Sequence, residues 1–318
     1  MVMRENRKST LKKAANIIGR IVTLFSVVFV IVAVYRLGFD FSAVKNVTAF
    51  ILLTVVGSII ISITVFLLGI AWGEWLNFFS KKKNPMKDIV SVYAKANIGK
   101  YLPGNVMHYV ERNMFAGNLG ISQRKVALSS ILEIVCQAGI AFVLAVCFSK
   151  NQLSDALANL GINKFSIYVL VGVIVFVVIF ISVVYCFRNK IKDLFASYTV
   201  RGFLVTVAKN IIIYATVLIL GGMILIALYI FMGGKLEFQS AIKILTGYII
   251  AWILGFVVPG APGGIGVREF VLALLLGNLV GNELILTLSI MHRLITILGD
   301  FLAYVLRIWI MKVGGRNK

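Results

Sequence analysis

The chain has 318 residues, 60% of them hydrophobic and only 14% charged, with a mean hydropathy of +0.98. Soluble domains carry about 25% charged and about 45–50% apolar residues, so the composition excludes that class and describes a polytopic membrane protein. The formal charge of +20, from 32 Lys and Arg against 12 Asp and Glu, would by itself point to nucleic acid, but the basic residues lie in short runs between apolar spans. That is the positive-inside pattern, and such runs also attract anionic headgroups.

The N-terminus, Arg4 to Arg20 followed by an apolar run, resembles a signal peptide. No small-residue cleavage site follows and Tyr35-Arg36 closes the run, so residues 17–35 read as a retained first span. Residues 50–71 form a second, each segment being close to the ~20 residues that cross about 30 Å of hydrocarbon. Trp72 and Trp75 at its end read as interface anchors, and Lys81, Lys82, Lys83 and Lys87 mark the cytoplasm. Residues 89–120 are too polar for a span and contain Gly99-Lys100-Tyr101-Leu102-Pro103-Gly104-Asn105 and Glu111-Arg112. Apolar character returns at 126–148, 165–187 and 211–232, each long enough to cross, with Arg188, Lys190 and Lys192 following the middle one.

Residues 255–269 then break a helix. Pro259 and Pro262, with Gly260, Gly263, Gly264 and Gly266, fall between two apolar limbs at 241–258 and 270–279. A proline costs about 3 kcal/mol in a helix interior and a glycine about 1. Non-helical backbone at membrane depth is tolerated only where protein or a water-filled cavity satisfies it, so the break predicts a cavity beside Arg268 and Glu269. Both limbs are short for a crossing, which makes this stretch a re-entrant hairpin or broken helix. Residues 284–311 form one long, tilted last span.

Placing most Lys and Arg on one side leaves Arg36, Lys45, Lys150, Lys164, Lys235 and Lys243 outside and puts both termini in the cytoplasm. The sequence also repeats itself. Gly99, Pro103, Gly104 and Arg112 recur at one constant offset as Gly255, Pro259, Gly260 and Arg268, and at a slightly longer offset Gly117-Asn118-Leu119 recurs as Gly277-Asn278-Leu279, with Glu133 matched to Arg293. An apolar sequence matches itself easily by chance. Against chance stands the layout, span, span, hairpin, span in each half with opposite orientation, which is an inverted-topology repeat. The expected fold is therefore an all-α polytopic membrane protein of about six transmembrane helices plus two re-entrant or broken helical hairpins. It is a single membrane domain, 1–318, with pseudo-repeat units at about 15–150 and 160–312 and no soluble catalytic domain.

Several residues are candidates for a site. The glycine-rich break lacks the Gly-Lys-Ser/Thr ending of a phosphate loop and the spacing of a dinucleotide fold. A helix starting after Gly266 would still aim free amides at an anion such as a lipid phosphate, or the break is a purely structural kink. Arg268 could bind a phosphate bidentately or pair with Glu269 or Glu111. Glu133 with Gln137 one turn on, and Arg293, Asp300 and Arg307 at seven-residue spacing, either line a polar groove or fix helix packing. His108 and His292 read as packing or interfacial residues rather than catalytic ones, and Cys136, Cys147 and Cys186 as buried small hydrophobes. No carboxylate pair, Ser/His/Asp set or metal-ligand cluster is recognisable, so no cofactor is expected and nothing argues for hydrolysis or group transfer.

Residues 97–104, Asn-Ile-Gly-Lys-Tyr-Leu-Pro-Gly, and 259–269, Pro-Gly-Ala-Pro-Gly-Gly-Ile-Gly-Val-Arg-Glu, with the spacing between them, make the chain resemble the flippase-like, lysylphosphatidylglycerol synthase transmembrane family over nearly its full length. The resemblance implies an integral membrane protein of the cell membrane that binds and translocates a phospholipid, an aminoacyl-phospholipid or a lipid-linked glycan between leaflets. Better-known members thereby give resistance to cationic antimicrobial peptides. In those members an aminoacyl-transferase domain follows the membrane part, whereas this sequence stops at Lys318, so lysyl transfer to phosphatidylglycerol is not expected of it alone. The residues that would contact substrate are Arg112, Glu111, Arg268, Glu269, Glu133 and Arg293. The expected partners are a membrane phospholipid, anionic or aminoacylated, and a separately encoded transferase, with homo-oligomers compatible and nucleic acid not expected. The competing readings are the membrane part of a lipid-modifying transferase and a scaffold for envelope-glycan enzymes.

Overall fold

The computed structural model describes residues 46–80, 83–102, 106–148, 199–257, 264 and 266–315. The expected spans at 17–35 and 165–187, Cys186, and Pro103, Gly104, Pro259, Gly260, Pro262 and Gly263 lie outside these residues. What is described is helical: α1 Val47–Phe78, α2 Met86–Asn97 tightening into a 3₁₀ turn at Ile98–Tyr101, α3 Met107–Asn118 and α4 Gln123–Phe148. After them come α5 Val200–Phe231, α6 Phe238–Val257, α7 Val267–Val280 and α8 Asn282–Gly315. Five of these, α1, α4, α5, α6 and α8, are long and apolar enough to cross a membrane.

The spans run past the apolar stretches that announce them. Helix α1 has 32 residues, about 48 Å, and so does α5. Each starts at a side chain that satisfies a first-turn amide: Asn46 accepts from Ala49 N at 3.0 Å, and Thr199 accepts from Gly202 N at 3.2 Å. Because α1 continues to Phe78, Trp72 and Trp75 sit inside the protein and are fully buried, which corrects their expected role as interface anchors. Helix α6 has 20 residues, since Phe238, Gln239 and Ser240 join the apolar run, so this limb is longer than expected and counts among the five. The limbs α2 and α3 have 12 residues each and α7 has 14, which at ~1.5 Å per residue do not cross. Cys147 is exposed on α4 and Cys136 half-buried, because the apolar run they belong to faces outward over much of its length.

Helices α1 and α5 are antiparallel: Phe50 packs on Phe231, Gly57 lies beside Ile224, and Trp75 and Phe78 pack on Phe203. The α2/α3 hairpin follows the C-terminus of α1 and the α6/α7 hairpin follows the C-terminus of α5, so the two leave the pair from opposite ends. The α1–α8 crossing is close. A Cβ on Gly299 would lie 2.7 Å from Ser58 O, and one on Gly57 would lie 2.7 Å from Ile295 Cγ2.

The packing partners correspond across the halves. Helix α1 packs on α2 as α5 does on α6, α3 on α4 as α7 on α8, α1 on α8 as α5 on α4, and α2 on α8 as α6 on α4. The correspondence reaches single residues. Gly69 of α1 approaches Val90 and Tyr93 of α2, and Gly222 of α5 approaches Leu245 and Tyr248 of α6.

Large apolar side chains cover the outside. On α1 alone Ile51, Leu52, Val55, Val56, Ile59 and Ile63 are between 45% and 66% exposed. In water such a surface would be a severe aggregation hazard; in a bilayer it is solvated by acyl chains.

Candidate functional site

The described residues flanking both helix breaks, Tyr101 and His108 on one side and Phe256 and Arg268 on the other, meet Ile61 and Thr64 in the middle of α1, and the sequence dictates how. Leu102, which precedes Pro103, is extended at φ −71° and ψ 151°, as the residue before proline must be, so α2 ends one 3₁₀ turn earlier. Gly99 then lets the returning limb approach: a Cβ there would lie 2.9 Å from Glu111 Oε2 and 3.1 Å from His108 N. At the other tip a Cβ on Gly255 would lie 2.6 Å from Arg268 Cγ, and Gly264, at φ +75°, backs onto Gly255. Gly266, at φ +86°, starts α7 in a conformation only glycine adopts without strain.

Two buried carboxylates, Glu133 and Asp300, and the half-buried Glu269 are then claimed by three cations. Arg112 of α3 pairs with Glu133 of α4 at 2.5 Å, and both side chains are 2% exposed. Tyr93 donates to the same carboxylate at 2.8 Å. The guanidinium lies 3.8 Å from the ring centre of Tyr93, 5.2 Å from Tyr109 and 5.6 Å from Trp72, an aromatic cage. In the other half Arg293 of α8 pairs with Glu269 of α7, so the returning limb is tied to the next span in both hairpins, with the charges exchanged. The Glu269 carboxylate also accepts from Gly266 N at 2.7 Å and so occupies the start of α7. Asp300, 1% exposed, accepts from Asn97 Nδ2 at 2.7 Å and from Tyr101, and Lys100 Nζ lies 2.7 Å away.

Arg268 is the exception. It makes no ion pair among the described residues, and its buried Nε meets no acceptor. Neither Glu269 nor Glu111 is its partner, as the sequence had allowed. Burial pulls its pKa down and Arg293 adds to that, while Tyr248, Glu269 and Tyr101 act the other way.

These groups surround a central cavity of about 160 Å³, room for several waters or a small polar group. Its polar wall includes Lys100, Arg112, Glu133, Arg268, Arg293 and Asp300, drawn from both hairpins and from α4 and α8. Glu111 and Glu269 do not line it: Glu111 is buried against Gly99, and Glu269 stands behind Arg293. Arg307, expected on one face with Arg293 and Asp300, instead borders an outward groove with Phe66 and Lys87. His292 also lines the cavity, with Nε2 3.0 Å from Gly221 O and its ring packed on Tyr248. His108 is buried with Nδ1 unpartnered.

The Asp300 anchors and the aromatic cage are the site features that motif reading did not find. Asn97, Lys100 and Tyr101 stood in the motif as flanks of a helix break, and only the fold brings them to a carboxylate some two hundred residues away. Tyr109, one turn before Arg112, carried a weak local signal.

No group of three or more His, Cys, Asp or Glu side chains among the described residues could hold a metal ion. Compared with protein-family models and with curated proteins, the chain matches none.

Proposed function

We propose that this protein is a lipid translocator of the flippase kind, in which a head group enters the central cavity while the acyl chains stay in the bilayer. The observation that carries the reading is the cavity itself: a charged chamber beside the middle of α1, walled by residues of both broken hairpins, inside a molecule whose outer surface is apolar. Charged groups at that depth are expensive unless they serve a path. The antiparallel α1 and α5, the hairpins leaving from opposite ends and the matched helix partners support an inverted-topology repeat, the architecture in which substrates bind near the midplane at broken helices. The resemblance of the two glycine and proline motifs to the flippase-like family points the same way. On this reading both termini are cytoplasmic, the membrane is the cell membrane, and rocking of one unit against the other alternates access.

Arg268 is the proposed head-group contact, held in place through Gly255 and the Glu269–Arg293 pair. The test is transbilayer movement of a leaflet-specific labelled lipid in liposomes containing the purified protein. Losing a charge-assisted contact of about 1.5–3 kcal/mol should slow the Arg268→Ala, Glu269→Ala variant about 10- to 100-fold. Equal rates for wild type and variant would refute the site.

A further inference from the structure

The central cavity is unbalanced in charge, and the imbalance selects its ligand. Among the described residues both carboxylates that line it, Glu133 and Asp300, are engaged, and so is Glu269 behind Arg293. Glu133 holds Arg112 and Tyr93, Asp300 holds Lys100, Asn97 and Tyr101, and Glu269 holds Arg293 and the Gly266 amide. The aromatic cage that could receive a foreign ammonium is filled by the guanidinium of Arg112. An incoming cation therefore meets neither a free carboxylate nor an empty aromatic box. An incoming anion meets Arg268, the cavity cation left without a carboxylate among the described residues, with its Nε buried and unpartnered.

We infer that the cavity accepts lipids whose head group carries a net negative phosphate and rejects those whose phosphate is offset by an aminoacyl ammonium. The inference rests on the translocation reading in taking this cavity as the head-group site. It narrows the ligand against the expectation drawn from family resemblance, in which an aminoacylated lipid is equally welcome. The chemistry is electrostatic on both sides. A planar guanidinium matches two phosphate oxygens, whereas an added ammonium is brought among Lys100, Arg112, Arg268 and Arg293 with no acceptor to offset its desolvation. Lys100 adds to the selection. It is 26% exposed and touches Asp300 from the cavity side, so a phosphate can recruit it while Asn97 and Tyr101 keep Asp300 satisfied.

The test is equilibrium competition on the purified full chain in neutral detergent, with radiolabelled phosphatidylglycerol as tracer. The competitors are phosphatidylglycerol, lysyl-phosphatidylglycerol and diacylglycerol of the same acyl chains, and soluble glycerol phosphate. Phosphatidylglycerol should compete at least about tenfold better than each of the others, as expected for one charge-assisted contact. Arg268→Gln should abolish the preference, Arg268→Lys should keep most of it, and Lys209→Gln, at the exposed pair with Glu74, should leave it unchanged. Lysyl-phosphatidylglycerol competing as well as phosphatidylglycerol would overturn the inference, as would a preference that survives Arg268→Gln. Glycerol phosphate competing equally would overturn its lipid part. Movement in liposomes is read separately. Selective binding without movement refutes translocation and supports the selectivity; movement of the lysylated lipid at the same rate refutes the selectivity and supports translocation.

Discussion

Glu111 is 1% exposed, its Oε1 meets no donor, and burial pushes its pKa up to about 7 although Lys95 acts to lower it. Its folded-state value lies above the ordinary 4.5, so folding favours the protonated acid. The stabilisation this brings is complete below pH 4.5 and is lost as pH rises through about 7. The melting temperature in detergent should therefore fall between pH 5 and pH 8 more steeply for wild type than for Glu111→Gln. At pH 8 the variant should be the more stable by about 1–3 kcal/mol. Parallel pH profiles would show that the carboxylate finds a partner. Sequence reading named Glu111 as a substrate contact because it adjoins Arg112, yet on α3 adjacent residues point about 100° apart, and of these two Arg112 alone lines the cavity.

At the scale of elements, the glycines separate two uses of close approach. Gly299 faces backbone and branched side chain, with a Cβ there 2.5 Å from Ile61 Cβ and 2.7 Å from Ser58 O. Gly299→Ala has nowhere to relax and should destabilise the protein by about 1–3 kcal/mol, measurable by thermal unfolding. Gly255 instead faces only the Arg268 side chain, with a Cβ there 2.6 Å from Cγ and 2.8 Å from Nε, so it is the guanidinium arm that must shift. Gly255→Ala should leave the melting temperature nearly unchanged and slow lipid movement about tenfold, the equivalent of about 1.5 kcal/mol from one misplaced charged contact. A Gly255→Ala protein that unfolds early but moves lipid normally would reverse the assignment. The breaks between α2 and α3 and between α6 and α7 were legible because proline and glycine act locally. The lengths of α1, α5 and α6 were less so, since polar residues continue a helix once neighbouring helices pack on it. Trp72 and Trp75 were misplaced for the same reason.

For the whole molecule, the proposed duplication would account for the antiparallel α1 and α5 and for the similar glycine contacts in the two halves. What sequence could not supply is which charges pair. Arg112–Glu133 and Arg293–Glu269 exchange signs between halves, so a search for identical residues sees Glu133 matched to Arg293 as a mismatch, although each serves the same joint. The antiparallel pair also fixes a relation between the two faces of the membrane. The α1–α2 connection and the α5–α6 connection extend from opposite ends of the pair, and Lys83 and Lys235 are exposed in them. In the proposed orientation the basic run at Lys81, Lys82 and Lys83 puts its end on the cytoplasmic side. In a protein whose Cys136, Cys147 and Cys186 are replaced by Ser, Lys83→Cys should react with an impermeant maleimide only after the membrane is opened, and Lys235→Cys should react in intact cells. Labelling of both from one side would break the inverted arrangement, and with it the two-sided path through the cavity.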